Sequence, residues 1–171
     1  ALPAAHEEAD PSFVHTPAAA IPQVQVDGVS VRVLIGEAFG QTSPVATYSR
    51  TLYLDVQLPA GATLEIPALV PELAVYTVDA PVSLNADEVP AHILAVAEPG
   101  QPLRLTAGER AVRLMVIGGE PLDAPRHMWW NFVSSRKDRI VQAAADCDAQ
   151  ALGQVPGEVE WIALPERRFK P

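Results

Sequence analysis

The stretch from Gly118 to Gly153, GGEPLDAPRHMWWNFVSSRKDRIVQAAADCDAQALG, carries two of the three tryptophans and the clearest helical pattern in the chain. Ile140, Ala143, Ala144, Cys147 and Ala151 recur at i, i+3, i+4 and i+7 spacing, one apolar stripe of a helix over about 136–151. Ser135 is placed to cap its free amides, with Asp138 three residues on as a weaker form of the capping box. Gly153 stands where a left-handed residue would end the helix. Before the helix, Gly118-Gly119-Glu120-Pro121-Leu122 is a turn cluster closing a strand. The run from His127 to Val133 then leads apolar bulk into the cap.

Outward from this helix the chain reads as strands. Leu52, Leu54, Val56 and Leu58 alternate with Thr51, Tyr53, Asp55 and Gln57, so one face is expected buried and the other wet. Val29, Val31, Val33 and Ile35 make a second such strand, ending at the loop Gly36-Glu37-Ala38-Phe39-Gly40. Shorter apolar runs follow at 62–66, 73–78, 82–84, 93–96, 103–106 and 111–117, punctuated by Pro67, Pro71, Pro81, Pro90, Pro99-Gly100 and Gly108. Eight or so short strands at this spacing, with helical signal only near the end, predict an all-β antiparallel sandwich or barrel. Residues 1–22 have no period of their own and read as a linker threading along another surface; residues 23–171 form the domain.

Composition narrows the function classes. At 171 residues, 49% hydrophobic and 19% charged, the chain is long enough for one domain with a real core. A net charge of −9 argues against nucleic acid, which needs a basic stripe. The basic clusters Arg136-Lys137 with Arg139, and Arg167-Arg168 with Lys170, read as solvated faces. The single cysteine, Cys147, excludes an internal disulfide and reads as a small buried hydrophobe. No apolar run reaches membrane-spanning length and no signal peptide is visible, so the expected location is the cytoplasm. The chain begins at Ala1 rather than Met and is read as part of a longer protein.

Taken together, GGEPL at 118–122, WWNFVSS at 129–135, the helix, and VPGEVEWIALPE at 155–166 resemble the C-terminal part of the pirin family. WWNFVSS departs from the commoner GPFVMNT wording, which places the chain in a side branch. The resemblance implies a cupin-type jelly roll carrying one helix, and makes Ala1 to His6 similar to the family's inter-domain segment. It implies a second cupin domain present without its first. The family's metal (iron or another divalent ion) belongs to that first domain. So does its quercetin 2,3-dioxygenase-like activity where present; other members act as regulators through protein contacts.

The sequence can be tested against the cupin metal pattern of a glycine, five residues, His-x-His, three or four residues, then Glu, with a last His in a later strand. Counted from Gly61, the histidine positions fall on Pro67 and Leu69 and the glutamate on Ala74 or Val75, and Ala111 to Met115 holds no histidine. None of these side chains is a metal ligand. His6, His15, His92 and His127 form no H-x-H pair. A site built from His6, His15, Glu7, Glu8 and Asp10 is the remaining metal candidate, and His127 with Asp123 or Arg126 a candidate polar pair. The paired carboxylates Asp87-Glu88 and Glu7-Glu8 read as solvated turns. Nucleophile-elbow, dinucleotide and P-loop patterns are missing. No catalytic, cofactor or metal residue is therefore assigned.

Trp129 and Trp130 are the candidate interface residues, one packing inward and one facing a partner. The expected partners are the missing first cupin domain, a second copy of the chain in a homodimer, or a regulatory protein. The alternative reading is a module that binds a small ligand or a protein through an apolar barrel mouth.

Overall fold

The computed structural model describes residues 1–153 and 155–166. The chain divides into two units: Pro11–Pro121, and Ala1–Asp10 together with the chain from Leu122 onward.

The first unit contains twelve strands among the described residues. They are β1 (Gln23–Val26), β2 (Val29–Ile35), β3 (Glu37–Ala38), β4 (Gln41–Thr42), β5 (Thr51–Leu58), β6 (Thr63–Ile66), β7 (Glu72–Thr77), β8 (Val82–Leu84), β9 (Asp87–Val89), β10 (Leu94–Val96), β11 (Leu103–Ala107) and β12 (Val112–Gly119). One sheet runs β1-β2-β5-β12-β7-β10 and the other β6-β11-β8-β9, every neighbour antiparallel. The all-β antiparallel sandwich expected from the strand spacing is the observed fold, consistent with the cupin-type jelly roll that the resemblance implies. The two long alternating strands, β2 and β5, lie side by side in the middle of the larger sheet.

The core follows from the alternation. Val29, Val31 and Val33, Leu52, Leu54, Val56 and Leu58, and Val112, Leu114 and Val116 are fully buried on one face of the larger sheet. Leu64, Ile66, Val82, Leu103 and Leu105 from the smaller sheet join them in one cluster. Each such side chain contributes about 1.5–3 kcal/mol relative to exposure. Among the described residues the one polar side chain at 0% exposure, Thr77, accepts from the Ile93 amide at 3.2 Å and donates to the Pro90 carbonyl at 2.6 Å. It thereby satisfies the loop by which the chain leaves β9 for the larger sheet.

Turn chemistry sets the register. Asp27-Gly28 between β1 and β2 has φ of 50° and 82°, the backbone of a two-residue type I′ hairpin. Phe39-Gly40 between β3 and β4 repeats it at 51° and 72°, and Asn85-Ala86 between β8 and β9 at 50° and 79°. Asp87-Glu88, read from sequence as a solvated turn, are thus the exposed first residues of β9. The GGEPL cluster also differs from expectation, because Gly118 and Gly119 complete β12 rather than follow it. A Cβ on Gly118 would lie 2.3 Å from the Glu72 carbonyl oxygen and 2.8 Å from Val70 Cγ2. Glycine here is a requirement of close strand approach.

The second unit holds β13 (His127–Trp129), β14 (Phe132–Ser134) and α1 (Lys137–Asp148). The run 127–133, expected to lead directly into the cap, forms an antiparallel hairpin with Trp130-Asn131 as its turn. α1 packs on β13 and β14. Ile140 is its one buried residue among the described ones, while Ala143, Ala144 and Cys147 are half-buried and Ala151 lies beyond the helix. Ser135 does not cap it: Arg136 is the N-cap residue without a side-chain bond, and the Ser135 hydroxyl goes elsewhere. Nor does Gly153 end it. Gln150 takes the left-handed conformation (φ 53°), its amide donating to Cys147 and that of Ala151 to Asp146, a Schellman ending.

Two substitutions test these packing arguments by chemical denaturation. Gly118→Ala should cost about 1–3 kcal/mol, because the methyl meets main chain that cannot swing aside; a cost near zero would mean β7 and β12 separate easily. Ile140→Asp should cost on the order of 2–5 kcal/mol by placing a charge in an apolar contact. An unchanged transition would show that the helix face is not held.

Candidate functional site

In the sandwich unit the open end between the β3–β4 hairpin and the loops before β5 and β7 holds a cavity of about 510 Å³. Phe39, Val45, Leu69 and Val70 give it apolar walls, and Glu37, Thr47, Arg50 and Thr51 a polar rim. Arg50 is tied to this rim. Its Nη2 donates to the Leu69 carbonyl, and Nη1 lies 3.7 Å from Glu120. Ser43, nearly buried, donates to Leu34 O at 2.7 Å and accepts from the Val45 amide, so its hydroxyl holds the loop rather than facing a ligand. Phe39 stands at the lip with left-handed backbone, an arrangement that a bulky residue rarely adopts.

The cupin-pattern positions can now be placed. Pro67 is exposed in the β6–β7 connection, Leu69 lines the cavity, Ala74 is half-buried and Val75 is buried in the core. The neighbouring inward positions are occupied by Leu64, Ile66, Leu103, Leu105 and Leu114. Among the described residues no three His, Cys, Asp or Glu side chains converge as a metal site would need.

On the outer face of the larger sheet sequence reasoning overlooked an ion pair. Asp55, alternating outward on β5 yet only 7% exposed at its side chain, accepts from Arg113 Nε at 2.9 Å and Nη2 at 2.8 Å. That bidentate bond pushes the Arg113 guanidinium above its ordinary value. Arg32, the neighbour of Asp55 on β2, donates to Ala18 O while its Nε is buried without an acceptor.

In the second unit Ala1–Asp10 is clamped by residues more than a hundred positions away. Glu7 accepts from the Ser135 amide at 2.8 Å and the Ser135 hydroxyl at 2.7 Å, and lies 2.6 Å from Arg126 Nε. Arg126 and Glu7 side chains are 5% and 10% exposed. Arg126 also donates to the Leu2 carbonyl and to Asp123, and Asp123 accepts from the Ala4 amide at 2.9 Å. Glu8 bridges Arg136 and Arg139, so those cations are paired rather than simply solvated. Glu7 and Glu8, candidate ligands by sequence, are therefore engaged with hydroxyls and guanidinium groups. Asp123 and Arg126, each read from sequence as a partner for His127, pair with one another, and His127 sits opposite Ser134 in the hairpin. Arg167, Arg168 and Lys170 lie outside the described residues.

Of the two candidate interface residues, Trp129 is half-buried and Trp130 is 38% exposed. The Phe132 ring stands edge-on to Trp130 with centroids 5.6 Å apart. Trp130 holds the first turn position at φ 54°, a strained backbone for a tryptophan.

The model of the Pirin C-terminal cupin domain matches residues 53–153, over half of the chain. The chain belongs to the pirin family. A pirin-like protein of Caulobacter vibrioides is 41% identical over 97% of this chain and 58% of its own length. Pirin of Homo sapiens is 31% identical over 80% and 49%. A crystal structure of quercetin 2,3-dioxygenase from Acinetobacter baumannii superposes with a TM-score of 0.82 at 28% identity, covering 99% of this chain and 58% of that one. The chain thus spans about half the length of the curated pirins it matches. No helix among the described residues is long and apolar enough to cross a membrane.

The clamp has a defined pH dependence. Ser135 and Arg126 hold the Glu7 carboxyl below its ordinary value, and Arg126 and the Ala4 amide do the same for Asp123. Depressed carboxyl values mean that this contribution is full above the unfolded-state pKa and is lost as pH falls through the lowered folded values. Arg126→Met should therefore release residues 1–10 to limited proteolysis severalfold faster at neutral pH, while the wild type should do so only in acid. Equal cleavage rates at pH 7 would count against the clamp.

Proposed function

We propose that this chain is the non-catalytic second cupin domain of a two-domain pirin and works by packing against a metal-binding first cupin. The carrying observation is the aliphatic lining at the positions where a cupin would present ligands: Leu69, Val75 and their inward neighbours. A first-row metal needs three or four convergent nitrogen or oxygen donors, and this lining does not fit one. The oxygenase chemistry for which the Acinetobacter structure is named is assigned, on this reading, to the part of the parent protein outside this chain, together with its iron or other divalent metal. Trp130, exposed at a strained turn, suits contact with such a partner or with a regulatory protein. The cytoplasm is the matching compartment.

The rim cavity supports a second reading. Its apolar walls beside Arg50 and two threonines suit a small amphipathic ligand, which would make this domain a sensor rather than a scaffold.

Elemental analysis and turnover assays on dialysed protein separate these readings from catalysis. The expected result is far less than one metal per chain and no oxidation of quercetin by this chain alone. About one tightly bound metal per chain, with flavonol turnover, would overturn the proposal. Saturable binding of a small aromatic without metal, lost in Phe39→Ala, would favour the sensor.

A further inference from the structure

The hydroxyls around the rim cavity are already committed as donors, and that decides what a ligand there must bring. A serine or threonine hydroxyl has one proton and two lone pairs. The Ser43 proton goes to the Leu34 carbonyl at 2.7 Å, and its oxygen accepts from the Val45 amide. Thr47 and Thr51 both donate to the Ser49 carbonyl, at 2.7 Å and 3.2 Å. Their protons are taken and their oxygens remain as acceptors. Thr42, exposed on β4, is the one lining hydroxyl whose proton no described group accepts.

The charges lean the same way. Among the described residues Arg50 is the one cation lining the cavity, and its head is held by the Leu69 carbonyl and by Glu120. Glu37, exposed on β3, also lines the cavity, and its carboxylate has no bonding partner among the described residues. The chain as a whole carries −9, so its field draws cations and repels anions. Phe39 adds an aromatic ring to the apolar wall, and the face of such a ring attracts a cation.

We propose, on the reading of this domain as a sensor, that the rim cavity takes a small apolar primary amine. Its ammonium group would face the Glu37 carboxylate and the threonine oxygens, and its hydrocarbon body Val45, Leu69 and Val70. An ammonium has three donors and no acceptor, the complement of the acceptors that the committed hydroxyls present. A carboxylate of the same size brings acceptors to acceptors and a second negative charge beside Glu37. An alcohol donates once and gains no charge attraction.

Titration calorimetry with benzylamine, benzyl alcohol and benzoate at neutral pH tests this, because the three share a ring and differ in the polar end. Benzylamine should bind saturably and about tenfold or more tighter than benzoate, with an affinity that falls as salt rises. Glu37→Gln, at an exposed site, should weaken benzylamine several-fold and leave benzyl alcohol unchanged. Glu88→Gln on β9 should change neither. Benzoate that binds as tightly as benzylamine overturns the amine assignment while the sensor reading stands, and so does a Glu37→Gln variant with unaltered benzylamine affinity. Equal weakening by Glu88→Gln also overturns it, since the amine would then be held by the acidic surface at large. Binding of none of the three at millimolar concentration overturns the assignment and the sensor reading together. Circular dichroism of each variant confirms that the sandwich is intact.

Discussion

The pairing of β5 with β12 is the constraint on which the sandwich depends. Eight residues of each strand lie in unbroken antiparallel register, from Val112 opposite Leu58 to Gly119 opposite Thr51. That ladder closes a long loop, whose entropic cost must be met by the contacts it creates. It does so by placing Leu52, Leu54, Val56 and Leu58 on the same buried face as Val112, Leu114 and Val116. β2 and β7 then add on either side in registers already fixed by the alternation. The two glycines at the end of β12 belong to the same constraint, since a side chain at either would strike the main chain of Glu72 or Arg50.

A sandwich closed this tightly has consequences for chemistry. The inward positions of β2 and β5, and those of β12 up to Gly118, are taken by aliphatic side chains, so the interior is a packed core. What remains for ligands is the rim, where the Phe39 hairpin and Arg50 enclose the open cavity. Leucine and valine at those inward positions supply packing volume and no nitrogen or oxygen donor. The exposed apolar groups of this domain lie on its faces and edges.

The second unit is organised by charge rather than by apolar volume. Its hairpin and helix bury one large aliphatic side chain, Ile140. The carboxylate of Glu7, shared between two serines and an arginine that is almost inaccessible to water, ties the first ten residues to elements far along the chain. Hydrogen bonds to charged groups in such surroundings are stronger than surface pairs, and removing one partner leaves the other uncompensated. Glu8 with Arg136 and Arg139 is the exposed counterpart, worth little by itself.

The sequence by itself determined the features that depend on neighbouring residues. The alternation in β2 and β5 and the i, i+3, i+4 stripe of α1 are local patterns, and each was legible as such. So was the apolar character of Pro67, Leu69 and Ala74 at positions where a metal pattern would require histidine and glutamate, and the GGEPL and WWNFVSS wording of the family. Tertiary structure decided what depends on partners distant in the chain. Strands of two or three residues such as β3, β9 and β13 are too short to show a period and exist because a neighbour completes their hydrogen bonds. Ser135 had the residue type of a cap, but a carboxylate 128 positions earlier in the chain accepts its hydroxyl proton instead. The pairing of Asp55 with Arg113 likewise arises only once the order of strands is set. Periodicity is written along a chain, whereas strand order and ion pairing are settled by which distant segments the core brings together.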